Sequence, residues 1–116
     1  MVEKIKVALV GLGNCFSGLI QGIEYYRKNP SQQVIGIIHE KLRDYSIHDI
    51  DFVAGFDVAE NKIGKAINEA IYESPNMVSW IDKNDMPKTD AKVHESPALD
   101  GVGIWVENKV KPIQSG

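Results

Sequence analysis

The chain is poor in cysteine: among 116 residues only Cys15 is present, so no internal disulfide can form. It also lacks an Asn-x-Ser/Thr acceptor, because Asn29 is followed by Pro30. Both absences fit a reducing interior and make the cytoplasm the expected location. Long apolar runs are missing too. The first apolar segment, Val7 to Val10, is broken by Gly11 well before it could form a signal-peptide core or span a bilayer. No sign of charge dominates, with 13 Lys and Arg against 16 Asp and Glu for a net charge of −3, so there is no electrostatic footprint for nucleic acid or anionic lipid. Neither nucleic acid nor a membrane is an expected partner. The three histidines, His39, His48 and His94, are too scattered for metal-ligand spacing, and no metal is expected. A Ser-His-Asp order, paired catalytic carboxylates, a phosphate-binding Gly-Lys-Ser/Thr motif, internal repeats and low-complexity tracts are all lacking.

What remains is ordinary globular composition, 43% hydrophobic and 25% charged, at the length of one domain. Ile5 to Val10 is a short, nearly continuous apolar run ending at glycine, the pattern of a strand buried on both faces of a parallel sheet. Gly11-Leu12-Gly13-Asn14 follows, and then apolar residues at 15, 16, 19, 20, 23 and 26 recur with a helical period. This helix should fade between Arg27 and Asn29, before Pro30. Gly18 and Gly22 lie one turn apart on it, which points to close packing against another element. From about 30 to 50 the pattern is irregular and reads as an inserted excursion. Asp51 to Asp57 is a second strand ending in a carboxylate, and Ala59, Ile63, Ala66, Ile67, Ala70 and Ile71 predict a second helix with Glu60 in its first turn. Ser74-Pro75-Asn76 closes that unit, and 91–95 is a candidate third strand. Trp80 and Trp105, with the tyrosines at 25, 26, 45 and 72, read as core and interface anchors, since they are not interleaved with basic residues.

The strand, glycine turn and helix together carry the chemistry. Gly11 and Gly13 are placed so that a diphosphate could approach bare backbone at a helix N-terminus. Gly-x-Gly alone is a weak signal, because the third position of the dinucleotide fingerprint is occupied by Phe16, and a tight structural turn explains the glycines equally well. Asp57 strengthens the dinucleotide reading, as a carboxylate ending the second strand can accept hydrogen bonds from ribose hydroxyls. It lies 46 residues beyond Gly11, against the usual roughly 20, so the inserted segment must loop out without separating the strands. Its competing role is to cap the segment beginning Val58-Ala59-Glu60. Cys15 sits where a helix N-terminus can activate a thiol, yet no histidine or second cysteine is near it in sequence, and a catalytic role is not expected.

Five blocks in register resemble bacterial and archaeal myo-inositol-1-phosphate synthases: Val10 to Cys15, Gln21 to Tyr26, Asp44-Tyr45 with His48-Asp49-Ile50, Phe52 to Val58, and Leu99 to Gly103. The resemblance runs from about Lys4 to about Val106 and covers the N-terminal portion of that family. It implies a single α/β domain over 1–116 with an insertion at about 30–50, a partial, truncated Rossmann-like (doubly wound parallel sheet) NAD-binding domain without the catalytic domain. It further implies NAD as cofactor, held by Gly11, Gly13, Asn14 and Cys15 at the pyrophosphate and by Asp57 at the adenosine ribose. No residue present is expected to be catalytic. In the complete enzyme the resemblance implies conversion of glucose 6-phosphate to inositol phosphate by oxidation, aldol closure and reduction, in a tetramer. The alternative is a stand-alone nucleotide-binding or oligomerising module without catalysis.

Overall fold

The computed structural model describes residues 3–30, 35–97 and 112. Strand β1 spans Ile5–Val10, and helix α1 follows at Asn14–Lys28, ending at Asn29 with Arg27 and Lys28 in its last turn, where their charge suits the helix dipole. The excursion holds two short strands, β2 (Lys41–Leu42) and β3 (Tyr45–Ser46), paired antiparallel, and a 3-10 turn at Ile47–Asp49. That turn is closed by a capping box in which Asp49 accepts from the Ser46 backbone N–H at 2.8 Å and Ser46 Oγ accepts from the His48 N–H at 3.2 Å. Strand β4 then runs Ile50–Asp57, helix α2 covers Ile67–Ala70, and strand β5 is Val93–Glu95.

Strands β1, β4 and β5 form one parallel sheet in that order. The inserted segment therefore loops out as its spacing requires, leaving the first two long strands adjacent. Their register slips once, between Val7 and Ala8, which leaves Val53 without a direct partner and brings Leu9 opposite Gly55. The candidate third strand at 91–95 is present as β5. Leu99 to Gly103 and Trp105 lie outside the described residues.

The core gathers on one face of the sheet: Leu9 and Val93 from the strands, Leu12 from the glycine turn, Ile20 from α1, Ile67, Ala70 and Ile71 around α2, and Ile81 and Met86 from the chain between α2 and β5. The opposite face is open among the described residues. Ala8 is exposed, Val10 is 73% exposed and Val53 is 42% exposed. The expectation that β1 is buried on both faces is thus corrected: its apolar residues alternate between core and surface.

The second helix is also shorter than its periodicity predicts. Gly64 adopts φ +85°, which interrupts helical geometry. The backbone around it is committed to β5, with Gly64 N–H bonded to Val93 O at 2.8 Å, Val93 N–H to Lys65 O at 2.9 Å, and Ile67 N–H to Ala91 O at 2.9 Å. Helical bonds cannot use the same donors, so residues 58–66 turn and bridge, and the helix starts only at Ile67.

Gln21 supplies the polar seam of the core. Fully buried on α1, it donates to Ser17 Oγ and Val78 O, both at 2.9 Å, and accepts from the N–H groups of Trp80 at 2.7 Å and Ile81 at 3.2 Å. One side-chain amide thereby satisfies a length of irregular backbone that has no strand partner. The Trp80 ring lies across Gly18 and Gly22, where an added Cβ would stand 3.8 and 3.7 Å from it. This is the close packing the two helical glycines predict, although Trp80 itself remains 69% exposed.

Candidate functional site

The C-terminal ends of β1 and β4 lie side by side, and the glycine turn and Asp57 meet there. Gly11 leaves β1 at φ +85°, a conformation that glycine adopts freely, and its N–H bonds to Phe56 O at 2.7 Å. Leu12 turns inward, is completely buried, and covers Gly55 so closely that a Cβ there would come within 2.9 Å of Leu12 Cδ1. Gly13 caps α1 at φ −81° and ψ −165°, ordinary extended backbone open to any residue. A Cβ on Gly13 would meet nothing within 4 Å. Neither strain nor crowding inside the protein calls for glycine at 13, and the space above it faces outward.

The same position opens a helix of 15 residues with no side-chain cap and no acidic residue in its first turn. The first bond onto the helix is Ser17 N–H to Gly13 O at 3.0 Å, so the N–H groups of Asn14, Cys15 and Phe16 have no intrahelical acceptor. Bare backbone, N–H groups without an intrahelical acceptor and the positive end of a helix dipole meet at this exposed turn, an arrangement suited to an anion such as a diphosphate.

Asp57 joins this turn from the neighbouring strand. Its Oδ2 accepts from the Leu12 N–H at 2.8 Å, and its Oδ1 accepts from Val58 and Ala59 N–H at 2.7 and 2.9 Å. The capping role weighed for Asp57 is therefore real, and a latch across to the glycine turn accompanies it. Three of roughly four acceptor positions on the carboxylate are spent on backbone, which leaves room for about one further hydrogen bond.

Asn14 uses its Oδ1 to accept from Met77 N–H at 2.7 Å, tying the helix start to the chain after α2. Cys15 is exposed in the first turn. Phe16 is half-buried and packs against the core, so the third fingerprint position does structural work. Among the described residues there is no group of three or more His, Cys, Asp or Glu able to hold a metal, and no helix is long and apolar enough to cross a membrane.

Two residues at this turn escaped the sequence reading. Lys62, only 3% exposed, donates from Nζ to Leu12 O and to Asn76 Oδ1, each at 3.0 Å. Asn76 Nδ2 donates to the same Leu12 carbonyl at 2.8 Å and to Ile71 O at 3.0 Å. Burial lowers the Lys62 pKa below its usual value, and the negative charges of Asp57 and then Glu73 partly offset that shift. A signal was available: Lys62 falls between Ala59 and Ala66 on the apolar face of the predicted helix, a charged residue where the pattern calls for a hydrophobic one.

A parallel sheet with a glycine turn at a helix N-terminus, and a carboxylate closing the adjacent strand, defines a partial Rossmann-like α/β unit. The chain is, more particularly, a sequence relative of the inositol-3-phosphate synthases. It is 41% identical to that of Mycolicibacterium smegmatis over 109 residues, covering 93% of this chain and 30% of the relative. It is 46% identical to that of Corynebacterium glutamicum over 100 residues, covering 85% of this chain and 27% of the relative. The chain therefore spans less than a third of the length of these curated relatives. Among solved structures, the crystal structure of Ari2 matches with a TM-score of 0.71 and 30% identity over 82% of this chain and 30% of that one. A myo-inositol-1-phosphate synthase-related protein from Thermotoga maritima shares the fold, with a TM-score of 0.60 at 24% identity over 80% of this chain and 22% of its own. No protein-family model matches the chain.

Proposed function

We propose that the glycine turn binds the diphosphate of NAD, and that the chain serves as the dinucleotide-binding part of an inositol-3-phosphate synthase. The observation that carries this reading is Gly13: a relaxed glycine with empty space above it, at an uncapped helix start, next to a carboxylate on the adjoining strand. Gly11, Gly13, Asn14 and Cys15 would offer backbone to the pyrophosphate. Asp57 would accept one hydrogen bond from an adenosine ribose hydroxyl, the capacity its backbone bonds leave. When bound, NAD would accept a hydride from glucose 6-phosphate and return it after ring closure, so that the isomerisation to 1D-myo-inositol 3-phosphate is redox-neutral overall. The residues here bind and orient; cationic groups to stabilise developing oxyanions during cyclisation would come from elsewhere in the complete enzyme. A cytoplasmic homo-oligomer belongs to the same proposal.

Calorimetric titration of the chain with NAD tests it. Saturable heat and a matching rise in Tm support the reading, whereas neither signal at millimolar NAD overturns it.

A further inference from the structure

We infer that Lys62 is a positioning residue that aims the Gly13 N–H out of the glycine turn toward the bound anion. The inference deepens the NAD-binding proposal and rests on it for the identity of the ligand. A trans peptide points its C=O and N–H in opposite directions, so the carbonyl of Leu12 and the N–H of Gly13 form one rigid unit. Lys62 Nζ and Asn76 Nδ2 hold that carbonyl from within the protein at 3.0 and 2.8 Å, and the 3.0 Å bond between Lys62 Nζ and Asn76 Oδ1 locks the two holders together. With its oxygen fixed inward, the peptide must present the Gly13 N–H to the opposite side, at a residue that is itself exposed.

The preceding peptide is fixed as well, since the Leu12 N–H is bonded to Asp57 Oδ2 at 2.8 Å. Asp57 and Lys62 thus grip opposite ends of one residue, and their charges partly compensate each other. A positive charge hydrogen-bonded to the Leu12 carbonyl also polarises that peptide, strengthening the N–H at its far end as a donor. Glycines without this grip would sample many orientations, and a ligand would have to order them at an entropic cost.

The test uses the full 116-residue chain in three forms: unmodified, Lys62→Met, and Lys65→Met. The last removes an equal charge from a residue whose ammonium pairs with Glu73 at 2.7 Å, outside the turn. Two quantities are read: the NMR order parameter of the Gly13 amide without ligand, and the affinities for NAD and for inorganic pyrophosphate by calorimetry. Lys62→Met should lower the Gly13 order parameter from the rigid range near 0.85 toward about 0.6, with the middle of α1 unchanged. It should weaken NAD and pyrophosphate alike by about tenfold. Lys65→Met should alter neither quantity. An unchanged Gly13 order parameter in Lys62→Met overturns the inference, as does an affinity within twofold of the unmodified chain. If the unmodified chain binds neither ligand, the NAD-binding proposal fails while the order parameter still decides the role of Lys62. Should Lys62→Met not fold, Lys62→Gln keeps an NH2 donor group without the charge and must show a smaller shift in the same directions.

Discussion

Replacing Asp57 by alanine removes the acceptor of three backbone N–H groups at one stroke. Leu12 and Ala59 are almost completely buried, so their N–H groups lose their partner where water cannot replace it, whereas Val58 is half-buried and can recover a water. Each stranded donor costs about 1–3 kcal/mol. Two of them, with the lost counter-charge to Lys62, bring the expected loss to about 4 kcal/mol. For a chain of this size that is a Tm drop of roughly 15 °C. Asp57→Asn separates the contributions. Its carbonyl oxygen can still serve Val58 and Ala59, but the amide NH2 then faces the Leu12 N–H and cannot accept from it. The loss should be about half that of alanine. Thermal and urea unfolding followed by circular dichroism gives both values. A Tm for Asp57→Ala within 3 °C of the unmodified chain, or Asp57→Asn less stable than Asp57→Ala, would refute the claim that this carboxylate latches the turn.

Gly13→Ala should leave Tm unchanged in the ligand-free chain, since the backbone is relaxed and nothing lies within 4 Å, while NAD binding measured by calorimetry weakens more than tenfold. Gly55→Ala should do the reverse, losing about 1–3 kcal/mol in urea unfolding because its Cβ meets Leu12 Cδ1 at 2.9 Å. Tyr72 donates its hydroxyl to Ile81 O at 2.7 Å, and burial, then Asp82 and Asp85, raises its pKa. Its folded pKa exceeds the unfolded value, so its stabilisation is complete below pH 10 and lost as pH rises through the folded pKa; Tyr72→Phe should cost about 1 kcal/mol at neutral pH and less at alkaline pH. Lys62 has the opposite sign: its folded pKa lies below the unfolded 10.5, so between the two values the unfolded chain binds more protons and stability rises with pH. Lys62→Met should remove that rise, as read from Tm measured against pH.

Local patterns in the sequence located β1, the glycine turn, α1, β4 and β5, because each rests on contiguous residues: an apolar run, paired glycines, a 3.6-residue period, a proline after the helix. The adjacency of β1 and β4 was legible only as a requirement that the excursion loop out. The second helix misled because Ala59, Ile63, Ala66 and Ile67 have helical spacing, yet the backbone at 64–67 is bonded to the start of β5 and the residue two before it, 24 to 29 residues further along. Periodicity records which side chains are apolar and is blind to a competing partner for the main chain. The surface face of β1 was misjudged for a related reason. Apolar composition says that a residue can be buried, and what covers it depends on the neighbours it finds. Asn76 stayed hidden because its target is a carbonyl, which every residue possesses and which no motif marks; Lys62 was marked only by its charge on an apolar face, which does not say what it bonds.

Leu12 explains why fold and candidate site cannot be varied independently. Its side chain fills the core over Gly55, its N–H is held by the end of β4, and its C=O is held by residues on both sides of α2. The central residue of the turn is thus the point where sheet, helix and irregular chain are joined, and the two flanking glycines present the outer surface of that joint. An anion bound at Gly13 would press on a structure already fixed from behind, with little left to order. Mutations in the core that shift Leu12 should therefore appear as binding defects even when they lie far from the open volume, and ligand binding should protect the core amides of β4 as well as those of the turn.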